Sequence, residues 1–397
     1  MSRRSAKCSR AWTRGPEMSD SGRHQIPVGM PVVMKAGSSS LVQRTGELDL
    51  EALARTADLV AAMWSAGYPT ILVSSGAVAA GLPVLGLDRR PKDVPGLQVA
   101  AAVGQGRLME RYSALFSERG RVVGQVLLTK DLLANRSQYL YAREALERML
   151  ALGVVPIVNE NDTVVVEGLR LGDNDRLAAI VSHLVSAGIL VILTDIGGIY
   201  SADPKIVADA ELLTAVRPTD TTLDVVGAGD PGPFGSGGAA TKVAAARMAA
   251  WSGIPTVIAD AREADVLARA VAGEEVGTWV TPHETRLSAR KLWIAFGQPS
   301  EGKVMVDHGA TLALLEGGKS LLAVGVSSVE GEFNVGAAVE VLGPDGRLIG
   351  KGLTTMTGDQ ARRSIGRHSS EVGGVVIHRD DFVLLAVEHR PADRLVP

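Results

Sequence analysis

Two lysines far apart in the chain stand in settings suited to holding a phosphate. Lys35 follows the apolar run 32–34 and precedes Gly37, Ser38 and Ser39. A lysine at the end of a buried strand projects toward a phosphate position, and a glycine there lets backbone N–H groups approach the anion. Lys242 closes the run Gly235-Ser236-Gly237-Gly238-Ala239-Ala240-Thr241-Lys242, which leads into an amphipathic helical stretch. Free N–H donors and the helix dipole favour an anion at such a start, although the spacing is not that of a Walker A loop. Each lysine also has a plainer reading: Lys35 snorkelling at a sheet edge, and Lys242 following a flexible glycine linker. The linker explains the glycines but not the Thr241-Lys242 pair.

The acidic and amide residues cluster in Asn159-Glu160-Asn161-Asp162 and Gly172-Asp173-Asn174-Asp175. Loops of this kind bind divalent cations, but the acid spacing of an EF-hand is missing. The favoured alternative is that they recognise an ammonium group and anchor lysines that share a phosphate. Asn/Asp turn chemistry and helix capping would use the same residues. No histidine falls within these motifs.

These residues need a frame, and the sequence supplies an alternating one. β-branched runs at 32–34, 70–74, 122–128, 154–158, 189–194 and 256–259 read as strands of a buried parallel sheet. Helical runs lie between them, with Asp49 capping 50–66 before Gly67, and 137–152 ending at Gly153. The polar clusters fall after strands, where ligands gather in an open parallel sheet: Lys35 to Ser39, Ser74 to Gly76, Asn159 to Asp162, and Thr194 with Asp195. Residues 164–171 read as a protruding hairpin. After 281 the texture changes to short strands with glycine turns at 303–306, 337–342 and 348–351, the last two joined by Pro344-Asp345-Gly346. The expected organisation is a tail over 1–27, a catalytic domain over 28–290, a linker over 291–299 and a small β-rich domain over 300–397.

Composition sets limits. The chain has 397 residues, 46% hydrophobic and 21% charged, within the range of ordinary globular proteins and long enough for two domains. The formal net charge of −3 gives no reason to expect non-specific nucleic-acid binding. No apolar run approaches the roughly 18 residues of a spanning helix. The single cysteine, Cys8, excludes an internal disulfide, and a reducing cytoplasm is the simpler expectation. Residues 1–16 are basic without an apolar core, unlike a signal peptide.

Taken in order, Val33-Met34-Lys35-Ala36-Gly37-Ser38-Ser39, Ser74-Ser75-Gly76-Ala77-Val78-Ala79-Ala80-Gly81, the runs at 159 and 172, Leu193-Thr194-Asp195 and Gly237-Gly238-Ala239-Ala240-Thr241-Lys242 resemble the amino acid kinase family. The resemblance is to its members that phosphorylate the γ-carboxylate of glutamate, the first step of proline biosynthesis. The tail from Gly302 through Val306-Asp307-His308-Gly309-Ala310 to Gly318 resembles a PUA domain. The implied fold is α/β, a three-layer αβα sandwich with a mainly parallel sheet, followed by a small β-barrel-like PUA domain.

The resemblance implies that Lys35 and Lys242 contact phosphates and that Asp175 organises them. It implies that Ser75, Asp162 and Asn174 bind glutamate, while Thr194, Asp195 and the loop Ser236, Gly237, Gly238, Ala239, Ala240, Thr241 and Lys242 serve the nucleotide. ATP with Mg²⁺ is the implied cofactor set, with no protein metal ligand assigned. A homo-oligomer, dimer or tetramer, and proline as feedback inhibitor are implied as well. Ala239 stands where many relatives carry Met, and Ala36 where a larger apolar residue is common; neither change removes a charge. Two rival readings are a kinase for acetylglutamate, aspartate or a nucleoside monophosphate, and an RNA-binding regulator using Arg362, Arg363, Arg367 and His368. RNA binding is not expected to be primary, because those residues also read as a solvated face.

Overall fold

The computed structural model describes residues 22–385 except 44, 165–173, 203, 205–206, 208, 221–222, 224–237 and 368–373. The six expected strands form in one sheet as β1 Val32–Ala36, β2 Thr70–Ser74, β3 Val122–Leu128, β4 Val154–Glu160, β5 Ile189–Thr194 and β7 Thr256–Asp260. Two further strands, β6 Ala215–Val216 and β8 Thr278–Val280, escape the sequence reading because they are too short to show a period. The order is β3-β4-β2-β1-β5-β7-β8-β6. Every pairing is parallel except β7 against β8.

Alternation along the strands builds two cores, one on each face. Val33, Ile71, Val73, Leu190 and Ile192 pack with the helices Arg136–Ala151, Asn174–Leu184 and Ala239–Trp251. Val32, Met34, Leu72, Val191 and Leu193 pack on the other face with Leu50–Ser65, Val94–Glu118 and Val266–Ala272. The result is the expected three-layer sandwich. Asp49 caps its helix by accepting from the Ala52 N–H at 2.9 Å. The next expected helix begins one residue early, because Asn135 caps it by accepting from Gln138.

The expectation that residues 1–27 lie outside the fold is corrected at its end. Arg23 and Ile26 are buried, and the Arg23 guanidinium donates to the carbonyls of Thr214, Glu274, Val276 and Gly277. Four backbone acceptors make this arginine part of the sheet's edge, which no local pattern reveals. Of the hairpin expected at 164–171, residues 165–171 lie outside the described residues.

The C-terminal strands β9 Gly302–Val306, β10 Val326–Glu330, β11 Ala338–Leu342, β12 Leu348–Thr354 and β13 Ile377–Leu384 form a second sheet in the order β10-β9-β11-β12-β13. It has its own core, including Val304, Val306, Val339, Val341 and Phe382. Residues 291–299, expected as a linker, continue the helix Ala289–Leu292 into a wide turn, Trp293–Gly297. There Ile294 and Ala295 bury against Val383, and Arg290 pairs with Asp381 at 2.5 Å.

Candidate active site

β1 lies between β2 and β5, so the loops following all three strands open at one end of the sheet. Along β1 the alternation that puts Val33 in one core sends Lys35 to the same face, toward the helices Asn174–Leu184 and Ala239–Trp251. Lys35 Nζ lies 2.6 Å from Asp175 Oδ1, and Lys242 Nζ lies 3.5 Å from Oδ2. The Thr241 hydroxyl donates to Oδ2 at 2.7 Å. Asp175 is 1% exposed, Lys35 5% and Lys242 9%, so all three charges are withdrawn from water.

Burial alone would raise the Asp175 carboxyl. The charges of Lys35 and Lys242, with hydrogen bonds from Lys35 and Thr241, outweigh it and hold the group down at about 2. Burial also lowers the Lys242 ammonium, and repulsion from Lys35 adds to this, while Asp175 and Asp195 oppose it. One carboxylate thus serves two ammonium groups, which leaves a setting that favours an incoming anion. Gly37 keeps the space open, since a Cβ there would lie 2.8 Å from Lys35 Nζ.

The residue before Asp175 faces a second network. Asn174 Nδ2 donates to Ser75 Oγ at 3.0 Å, Ser74 O at 3.2 Å and Asn159 Oδ1 at 2.9 Å. Its Oδ1 accepts from the Glu160 N–H at 3.2 Å. Ser75, Asn159, Asp162 and Asn174 line a cavity of about 260 Å³ with Gly76, Asp88, Arg89 and Arg90. Adjacent residues at one helix start therefore join the lysine pair to this cavity.

On the other side, Gly238 caps the helix Ala239–Trp251, whose first turn carries Ala239, Ala240, Thr241 and Lys242. Ser236 and Gly237 lie outside the described residues. Thr194 and Asp195 are placed differently from the lysines. They line a cavity of about 180 Å³ with Ala36, Ser39, Arg55 and Arg262. Among the described contacts, the Asp195 carboxylate accepts from Thr194 at 3.2 Å and its carbonyl accepts from Arg262 at 3.1 Å.

Two supporting residues are absent from the sequence reading. Gln105 accepts from Asn159 Nδ2 at 2.8 Å, and the Tyr112 hydroxyl shares a 2.7 Å hydrogen bond with Ser74. Both sit on the helix Val94–Glu118 among Ala101, Leu108 and Phe116. A polar residue interrupting that buried stripe is the signal that would have found them. Gly104 brings this helix close: a Cβ there would lie 1.8 Å from Ala77 O, so the helix backbone rests directly on the helix Ala77–Gly81 that follows the Ser75 loop.

Residues 30–260 match the amino acid kinase family and residues 302–376 match the PUA domain. A protein of Thioalkalivibrio sulfidiphilus named glutamate 5-kinase is 45% identical over 371 residues, covering 91% of this chain and 99% of its own length. Proteins of the same name from Geobacter sulfurreducens and Syntrophotalea carbinolica are 44% and 43% identical, each over 89% of this chain and over 97% and 96% of their own lengths. With this match spanning both sheets, the chain belongs to the amino acid kinase family, alongside its glutamate 5-kinase members, with a PUA domain at its C-terminal side.

Proposed function

We infer that this chain transfers the γ-phosphoryl group of ATP to the γ-carboxylate of L-glutamate, releasing ADP and γ-glutamyl phosphate, the opening step of proline synthesis. The observation that carries this reading is the joining, by Asn174 and Asp175, of a buried lysine pair to a polar cavity with room for an amino acid. The names of the relatives support the same acceptor.

In the step itself a γ-carboxylate oxygen attacks the γ-phosphorus, and the bond to the β-bridging oxygen breaks, its electron pair leaving with ADP. No proton moves. Two anions must meet in line while charge spreads over the transferring oxygens, so positioning and positive charge supply the catalysis. Lys35 and Lys242 provide that charge, and Asp175 holds their separation. Ser75 and Asn174 orient the acceptor, and Asp162 receives its ammonium group. Gly238 and the helix turn to Lys242 present N–H donors on the nucleotide side, with Thr194 and Asp195 read as further nucleotide contacts.

The donor is read as MgATP. Among the described residues no three carboxylate, histidine or cysteine side chains converge as a metal site. Asp175 has its oxygens engaged by Lys35, Lys242 and Thr241, so the protein is suited to receiving the metal on the phosphates. The catalytic domain is assigned to 28–290, with 22–27 packed onto it, and the PUA domain to 300–397. Arg362 of the PUA domain is paired with Glu332 and Asp359, which fits a solvated face better than an RNA contact. ADP release measured with L-glutamate, N-acetylglutamate, aspartate and UMP tests the assignment. Release dependent on L-glutamate is expected, and release driven by one of the others instead would overturn it.

A further inference from the structure

The substrate-side cavity contains more charge than the mechanism uses. Among the described residues that line it, Arg89 and Arg90 are the cations and Asp88 and Asp162 the anions. Among the described residues neither the Arg89 nor the Arg90 guanidinium has a hydrogen bond or ion pair, in contrast to Arg262 and Arg362, which are engaged by carboxylates. Both arginines are exposed, and they lie on the loop 82–93 that connects the helices Ala77–Gly81 and Val94–Glu118. That loop is anchored at both ends. The two helices meet backbone to backbone at Gly81 and Gly104, and Asp93 accepts from the Gly96 N–H at 2.9 Å at the far end. Within it, the Leu87 N–H donates to Leu82 O at 3.0 Å. The arginines are therefore carried to the cavity by a braced segment.

We propose that Arg89 and Arg90 bind the α-carboxylate of the amino-acid substrate and make the site selective for it. This rests on the glutamate reading. An L-glutamate molecule brings three charges. Its γ-carboxylate must face the lysines, and its ammonium group goes to Asp162. The remaining α-carboxylate needs a cationic partner, and among the described residues the cavity offers these two. Guanidinium groups suit the task because their planar fork matches both carboxylate oxygens.

The test compares L-glutamate with its α-carboxamide, which keeps the γ-carboxylate and the ammonium group but removes the α-charge. A charge-assisted hydrogen bond predicts that the wild type prefers L-glutamate by about 10- to 100-fold in kcat/KM. In the R89Q/R90Q double variant that ratio should fall toward one through a raised glutamate KM, with the ATP KM and the melting temperature unchanged. The R89K/R90K variant should recover part of the ratio, which a merely structural role would not produce. A double variant that keeps the wild-type ratio overturns the proposal, as does a wild type that does not distinguish the two compounds. A wild type that phosphorylates neither refutes the glutamate reading itself, together with this proposal.

Discussion

Replacing Asp175 with Asn keeps the shape of the side chain and removes the one charge that both buried lysines share. The carboxyl is held at about 2 against an ordinary 3.8. A gap of nearly two pH units corresponds to about 2–3 kcal/mol in favour of the ionised form, despite full burial. Losing one partner of a buried ion pair typically costs about 3–5 kcal/mol, because the remaining charge is left desolvated. The Asn variant escapes part of that cost by releasing a proton. Lys242, already lowered by burial and by Lys35, loses a group that was holding it charged. Its charge is then lost as pH rises, so kcat should fall about 100-fold or more and acquire an alkaline downturn at lower pH than in the wild type. Stability gives an independent sign. Because the folded-state value of Asp175 is depressed, its contribution is fully present above about pH 4 and is lost as pH falls toward 2. The wild type should show that acid limb and the variant should lack its share. Coupled ADP release from pH 6 to 9, with thermal melts from pH 2 to 7, measures both. A folded Asn variant with wild-type kcat and an unshifted pH profile would mean that Asp175 does not keep the lysines charged for catalysis.

Removing either ammonium group, by Lys35→Ala or Lys242→Ala, should lower kcat by about 100- to 1000-fold in a protein that still folds, since each supplies charge to the transferring group; near-normal turnover in folded protein contradicts this. Gly37→Ala places a methyl group 2.8 Å from the Lys35 ammonium, at the movable end of a side chain. Turnover should drop by at least about 10-fold while the melting temperature changes little, and a melt alongside initial rates separates the two effects. Tyr112→Phe removes the partner of Ser74 and should cost about 1 kcal/mol of stability. It should also raise the glutamate KM several-fold without moving the ATP KM, because Ser74 precedes the cavity residue Ser75; an equal rise in both would place Tyr112 in the general scaffold.

The site was legible where a single residue type in a local run carries the chemistry. Lys35 after an apolar strand and Lys242 after a glycine run can both be read directly, because strand ends and helix starts are local features. The Asn159 and Asn174 loops stood out by composition for the same reason. What brings them together is not local: Asp175 meets Lys35 and Lys242 across three elements, and the sequence suggests that geometry only through family resemblance. Gln105 and Tyr112 were missed because each occupies a position on an apolar helix face where a buried side chain is expected, and its polar tip is significant only once Asn159 and Ser74 are seen opposite. Arg23 was missed because its acceptors are four backbone carbonyls, which have no signature in side-chain chemistry. The strands β6 and β8 were missed because two or three residues cannot display alternation, whereas β5, with six buried residues, is unmistakable.

In the mechanism proposed above, phosphate moves from ATP to the γ-carboxylate of L-glutamate under the control of the Asp175-held lysines. The most direct measurement is to trap the product with hydroxylamine, which displaces phosphate from an acyl phosphate to form a hydroxamate, and to identify the modified carboxylate by mass spectrometry. γ-Glutamyl hydroxamate should form in step with ADP in the wild type and fall in parallel with kcat in the Lys35→Ala and Lys242→Ala proteins. ADP release without hydroxamate, or hydroxamate formation that survives both lysine substitutions, would contradict it.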